Sequence, residues 1–352
     1  MGTVMTELGA GPDRPAPHTR LLVGAVVLAV ALLAIVFVGL AAWGSTRDLA
    51  DVREDRATAR GPTLTADLLN SLQNERNYAA TYILGAENVL VLPVDSMDEA
   101  TAATDQALSA MRSHVERQGG DVADAYGPTL DGIDASLAEL RQLVSAFTGE
   151  RNQSQTAVTE PLYLGYTAFV DDLLAVADSL VLGIDDPELR QGAQVRLLAA
   201  AQPELLGRIT RRLLLAGVGP GGAVDTPDEV ASIAADKAEL EANETEIESL
   251  ATGAYEDVTG TQADAAALSE FLSLVDSSTQ GGLVPVGDVL AAMGTGPGLP
   301  EHYAAMNDAA ETRLADRARD IEHEAESRRL LWFVLAGVSA AAVVLALVVL
   351  VR

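Results

Sequence analysis

The sequence predicts an all-α protein, two stacked four-helix bundles held between two transmembrane helices, and three observations carry that expectation. Apolar residues recur at helical spacing, with Ala, Leu, Glu, Gln and Arg frequent and β-branched runs few. No long stretch alternates apolar and polar residues as a half-buried strand does. Two segments near the ends are too apolar for a soluble core: Leu21 to Trp43 carries no charge over about 23 residues and Leu330 to Val351 none over about 22, each enough to cross about 30 Å of hydrocarbon as a helix.

The first apolar segment follows a polar leader, residues 1–20, and outruns the usual signal-peptide core of about 7–15 residues, so it reads as an uncleaved anchor over 21–43. Two crossings put both ends of the chain on one side of a lipid bilayer and the segment between them on the other. Arginines stand on both sides of the first crossing, Arg14 and Arg20 against Arg47, Arg53 and Arg56, so the positive-inside rule does not orient the chain. The acidic middle segment is read as extracytoplasmic, in a two-pass protein of the plasma membrane. A membrane-proximal neck, 44–61, leads into the helical domain, 62–329, divided near 62–183 and 186–329, before the second crossing at 330–351.

Within the domain the first helix runs past Gly61-Pro62 to Leu84, with Gly85 as its stop. The second opens at Ser96-Met97-Asp98-Glu99, a capping box, and closes at Gly119-Gly120. A third covers Asp121 to Phe147, with Pro128 placed to break it in two. A fourth spans Thr156 to Leu182, with Pro161 in its first turns and Gly183 at its close. The fifth starts at Asp186-Pro187, cap and N1 proline, and reaches Ala216 with a kink expected at Pro203. After the loop GVGPGG, Thr226-Pro227-Asp228-Glu229 caps a sixth helix to about Ala254. Ala263 to Ser278 and Pro285 to Met293 follow. The last helix begins near Glu301, and its stripe Tyr303, Met306, Ala310, Leu314, Ala318, Ile321, Ala325 meets no breaker before the second crossing.

Composition removes several function classes. A net charge of −28 argues against nucleic acid as a partner. With no cysteine there is neither a disulfide framework nor a thiolate metal site. His114, His302 and His323 are scattered on polar helical faces without the spacing of a zinc or nucleophile site, so no catalytic residue, metal or cofactor is expected and the chain as it stands does not read as an enzyme. Gly217, Gly219 and Gly222 spell GxGxxG, but the run follows a helix where a dinucleotide site needs a strand. Lys237 is the sole lysine among many arginines and alanines, a bias of GC-rich, actinobacterial kind.

The informative segment is LLNSLQNERNYAATYILG. Leu69, Leu72, Ala79 and Ile83 share one helical stripe and Arg76 falls on it, directing a guanidinium inward. An interior arginine needs an anion, either a carboxylate from another helix or a bound oxyanion. Tyr78 and Tyr82 flank it in sequence, as core tyrosines or as walls of a pocket.

LQNERNYAATYILG resembles the first-helix signature of the nitrate- and nitrite-sensing domain family, in which a Leu-Gln-x-Glu-Arg run precedes small residues and a Tyr-Leu pair. A looser likeness covers YTAFVDDLL through RRLLLAG, where Gln202-Pro203-Glu204 and Gly207-Arg208-Ile209-Thr210 stand in place of a Lys-Glu and a Ser-Arg-Glu-Arg element. The resemblance implies a helical domain of two four-helix bundles ahead of a histidine kinase, nitrate or nitrite as ligand, and Arg76 and Arg208 as its binders. Thr210 replaces the element's second arginine, for which Arg211 or Arg212 could compensate. Arg208 adjoins the apolar stripe Leu205, Ile209, Leu213 and Ala216, on the core face or at its edge.

The expected function is that of a transmembrane signal receptor, the sensory portion of a two-component-type system, acting as a homodimer with a cytoplasmic kinase module beyond Arg352 or on a partner. The alternatives are a helical sensor for another small ligand and an envelope protein with an assembly role. The expected ligand-binding residues are Arg76, Arg208, Arg212, Tyr78 and Tyr82.

Overall fold

A computed structural model describes residues 17–84, 96–146, 155–218, 221–224, 226–258, 262–294 and 299–351. The chain is all-α. Its helices are α1 (Pro17–Leu84), α2 (Met97–Gln118), α3 (Gly120–Ser145), α4 (Gln155–Val181), α5 (Pro187–Val218), α6 (Pro227–Leu250), α7 (Gln262–Thr279), α8 (Val286–Gly294) and α9 (Leu299–Val351), with a 3₁₀ turn at Gly253–Tyr255. Backbone pairing outside the helices includes one bridge, Ala223 with Leu283.

Two compact units divide the chain: Met1–Arg53 with Asp320–Arg352, and Glu54–Arg319. In the first unit α1 and α9 present apolar side chains outward, among them Leu33, Phe37, Leu40, Leu330 and Val338. Both helices are long and apolar enough to cross a membrane. Arg53 ties the two, with Glu322 at 3.2 Å and Glu326 at 3.1 Å.

The second unit holds two apolar cores. One gathers Leu69, Leu72 and Ile83 of α1, Met111 of α2, Ile133 and Leu137 of α3 and Val170 and Leu173 of α4. The other gathers Leu206, Ile209 and Leu213 of α5 with Ile233 and Leu240 of α6, Phe271 of α7, Val289 of α8 and Tyr303 and Met306 of α9. Core residues Ala200 in the first and Val195 and Ala199 in the second make α5 common to both. Every residue of the stripe read from Tyr303 to Ala325 is buried.

The caps act as the sequence indicates. Ser96 accepts the Glu99 N–H at 3.1 Å. Thr226 accepts the Glu229 N–H and donates its hydroxyl to the Glu229 carboxylate, so the cap and its N3 glutamate are joined through side chains. Asp186 Oδ1 accepts from the N–H groups of Glu188 and Leu189. Gly119 and Gly120 turn α2 into α3 at φ +62° and +50°, a region costly for a side chain.

Two expectations need correction. Pro128 does not break α3, which is one helix from Gly120 to Ser145. Pro128 and Asp124 are both exposed, so the carbonyl that loses its helical donor lies next to solvent, and the buried stripe Tyr126, Leu130, Ile133, Leu137 continues underneath. His114, expected on a polar helical face, is buried: it follows Met111 on the core face of α2 and adjoins Gly61 of α1. The expected stop at Gly85, the tail of α3 at Phe147 and the middle glycine of the GxGxxG run, Gly219, lie outside the described residues.

Candidate functional site

Helices α1 and α5 run side by side in the same direction, and three polar contacts mark the register. Asp55 accepts the N–H groups of Asp185 and Asp186. Asp67 meets Arg196 at 2.9 Å. Arg76 meets Glu204 at 2.8 Å. The chain-number offset barely changes along the way, as two parallel helices of equal rise require.

The third contact is the centre of the candidate site. Arg76 is 1 % exposed and donates from Nη1 to Glu204 Oε1 and, at 3.0 Å, to the hydroxyl of Thr167 on α4. Arg208, one turn beyond Glu204, donates from Nε to the same Oε1 at 3.0 Å and from Nη2 to Asp171 of α4. The Thr167 hydroxyl donates to that oxygen as well, at 3.2 Å. Three donors therefore converge on one carboxylate oxygen. The other oxygen, Glu204 Oε2, is buried with no hydrogen-bond partner, and so are Arg76 Nε and the hydroxyl of Tyr163.

Tyr163 forms the platform. The Arg76 guanidinium carbon lies 4.3 Å from its ring centroid and that of Arg211 lies 4.2 Å away, both in cation–π range. Two guanidiniums thus hold one buried carboxylate, and Arg211 shares the Tyr163 platform; Arg208 is paired in addition with the half-exposed Asp171. Burial alone would push Glu204 up, but Arg76, and after it Arg208, outweigh burial and hold its carboxyl below the usual range. Burial pushes the Tyr163 hydroxyl up, so it stays protonated and able to donate.

Of the five residues expected to bind ligand, the structure brings Arg76 and Arg208 together. Arg212 is directed away, onto Asp236 of α6, and Arg211 takes the place beside Tyr163. Tyr82 is 44 % exposed and Tyr78 half-buried. At 100° per residue both point well away from Arg76, so neighbours in sequence are not neighbours in space. Tyr163, Thr167 and Gly207 were not anticipated. Tyr163 was open to recognition, because Leu162, Tyr166, Phe169 and Val170 place it on a buried face where a hydroxyl needs a partner.

The arrangement is that of an all-helical domain with arginines and carboxylates clustered between α1, α4 and α5. A family model described as nitrate and nitrite sensing matches residues 67–329, which span Arg76, Tyr163, Glu204 and Arg208, and the chain belongs to that family. Among solved structures the chain resembles that of the NasR transcription antiterminator, with 12 % identity, a TM-score of 0.51 and coverage of 86 % of this chain and 82 % of that one. At that identity the likeness concerns the fold alone. Comparison with curated proteins finds no match.

Proposed function

We propose that the chain is the sensory portion of a transmembrane receptor whose extracytoplasmic helical domain binds a small oxyanion, nitrate or nitrite, through Arg76 and Arg208. The observation that carries the reading is the convergence of those two guanidiniums on a single carboxylate oxygen in a family defined by nitrate and nitrite sensing. A carboxylate and a nitrate ion present the same flat pair of oxygens to an arginine fork. Two apolar helices suit a two-pass protein of the plasma membrane, and the reading takes a homodimer coupled to a cytoplasmic kinase module as its signalling form.

The ligand acts only through its preference for one placement of α1 against α5, with about 1–3 kcal/mol as the usual scale of such coupling. The ion pair of Arg76 with Glu204 favours a second reading, in which the cluster is architectural and binds nothing. Titration of the full chain in detergent separates the two. Nitrate raises the melting midpoint in a concentration-dependent way if it binds the folded state, and Arg76→Ala abolishes that rise. A midpoint indifferent to nitrate and nitrite leaves the architectural reading standing.

A further inference from the structure

Adjacent residues of α1 make two different kinds of ion pair. Glu75 is fully buried and gives its two oxygens to Nε and Nη2 of Arg141, at 2.7 and 3.0 Å, while the Tyr166 hydroxyl donates to it at 2.9 Å. That fork is closed. Arg76 is equally buried, yet meets its carboxylate through Nη1 and leaves Nε without a partner, beside a Tyr163 hydroxyl that also has none. Buried donors are seldom left in that state, because an unmade hydrogen bond carries the whole desolvation penalty of the group.

Gly207 gives these donors room. It lies inside α5, where glycine is a poorer helix former than alanine. A Cβ there would stand 3.6 Å from Arg76 Nη2 and 3.7 Å from the Tyr163 hydroxyl, ordinary contact distances. The contrast is Gly192 of the same helix, where a Cβ would fall 2.0 Å from the Tyr255 hydroxyl, so that glycine admits a neighbouring ring. Gly207 admits no such neighbour and is partly open to solvent.

We propose that Gly207 and Tyr163 form the selective wall of the oxyanion seat, with the anion lying along the Nε–Nη2 edge of Arg76 over the bare Cα of Gly207 and accepting a hydrogen bond from the Tyr163 hydroxyl. The assignment rests on the oxyanion reading above. Nε–H and Nη2–H are parallel and coplanar, so two oxygens of a flat ion meet them in one plane. Glu204 then acts as a positioning residue, holding Nη1 so that the opposite edge faces the seat. A tetrahedral ion carries oxygens out of that plane, toward the α5 backbone on one side and the Tyr163 ring on the other, and is disfavoured.

The test uses the full chain in detergent with nitrate, nitrite and sulfate as probes, reading affinity by calorimetry and the ligand-free melting midpoint separately. Gly207→Ala fills the notch with a better helix former, so the midpoint holds or rises while nitrate affinity falls about ten-fold, the size of one lost hydrogen bond to a charged group. Tyr163→Phe keeps the platform and removes the unpartnered hydroxyl, so the midpoint again holds and affinity falls by a similar factor. Sulfate binds more weakly than nitrate to the unaltered chain. Nitrate binding that neither variant weakens, or that falls only together with the midpoint, overturns the selective wall and leaves the oxyanion reading intact. Failure of the unaltered chain to bind any of the three ions removes both.

Discussion

Arg76 on α1 and Glu204 on α5 are joined at 2.8 Å with both side chains 1 % exposed, and the pair engages one nitrogen of the guanidinium and one oxygen of the carboxylate. A buried pair of this kind is costly to break from one side, because the surviving charge has no water to turn to.

Glu204→Gln is the sharpest probe of that pair. It keeps the shape and removes the negative charge, leaving the buried Arg76 without its counter-ion while Arg208 keeps Asp171, and ligand-free stability should drop by about 3 kcal/mol. An anion replaces the lost charge, so nitrate should raise the melting midpoint of the variant by more than it raises that of the parent chain. A smaller nitrate response in the variant would show that the guanidiniums do not face the anion.

Gly192→Ala tests a second glycine of α5. A methyl group 2.0 Å from the Tyr255 hydroxyl must displace the ring, and overpacking of this sort costs about 1–3 kcal/mol. Tyr255→Leu in the same chain should recover part of the loss. Nitrate affinity should stay unchanged in both, because neither residue touches Arg76. Denaturation midpoints and calorimetric titrations on the same samples check both statements.

Two buried groups contribute to the acid side of the stability profile. His114 is buried and pushed down to about 4, chiefly by burial and then by Arg60 and Arg117, whereas in the unfolded chain it takes a proton near its ordinary value of about 6.5. The unfolded state therefore binds the proton first, and stability declines as pH falls from about 6.5 to about 4. Glu204 is shifted the same way: its contribution is complete above the ordinary carboxylate range and disappears as pH falls through its depressed folded value. His114→Leu should flatten the upper window and leave the lower one, read as the difference between variant and parent midpoints at successive pH values. An unchanged slope above pH 5 would mean that His114 is already protonated in the fold.

Much of this was legible because helices announce themselves locally. The capping box at Ser96, the Asp186-Pro187 start and the Thr226 cap are each written within four residues, and each is found where it was read. The inward direction of Arg76 followed from its place between Leu72 and Ala79. What could not be read was the identity of its partners. Thr167 and Glu204 come from other helices, and no spacing along α1 encodes which side chain of α5 arrives opposite. The same holds for His114, whose burial depends on α1 coming close at Gly61, where a missing side chain makes room. Pro128 misled because the rule for proline inside a helix takes no account of whether the orphaned carbonyl can reach water.

A second buried arginine gives α5 a hold on both long helices. Arg196 is fully buried and reaches Asp67 of α1 at 2.9 Å, Glu311 of α9 at 2.8 Å and Asn307 of α9 at 3.1 Å. It lies about two turns before Glu204 on the same helix, so we propose that a displacement of α5 at the candidate site is passed to α1 and α9 through this side chain. Arg196→Ala should lower stability by about 3 kcal/mol, since it leaves two carboxylates facing each other across a cavity, and Arg196→Met by less, since an apolar chain of similar length fills the space. The Met variant should still bind nitrate with the parent affinity while losing the movement. Because the chain has no cysteine, spin labels at Arg60→Cys and Thr312→Cys report the separation of α1 and α9 without interference. A nitrate-dependent change in that distance should be present in the parent and absent with Met at position 196. If the change persists, the two long helices are driven through contacts other than Arg196.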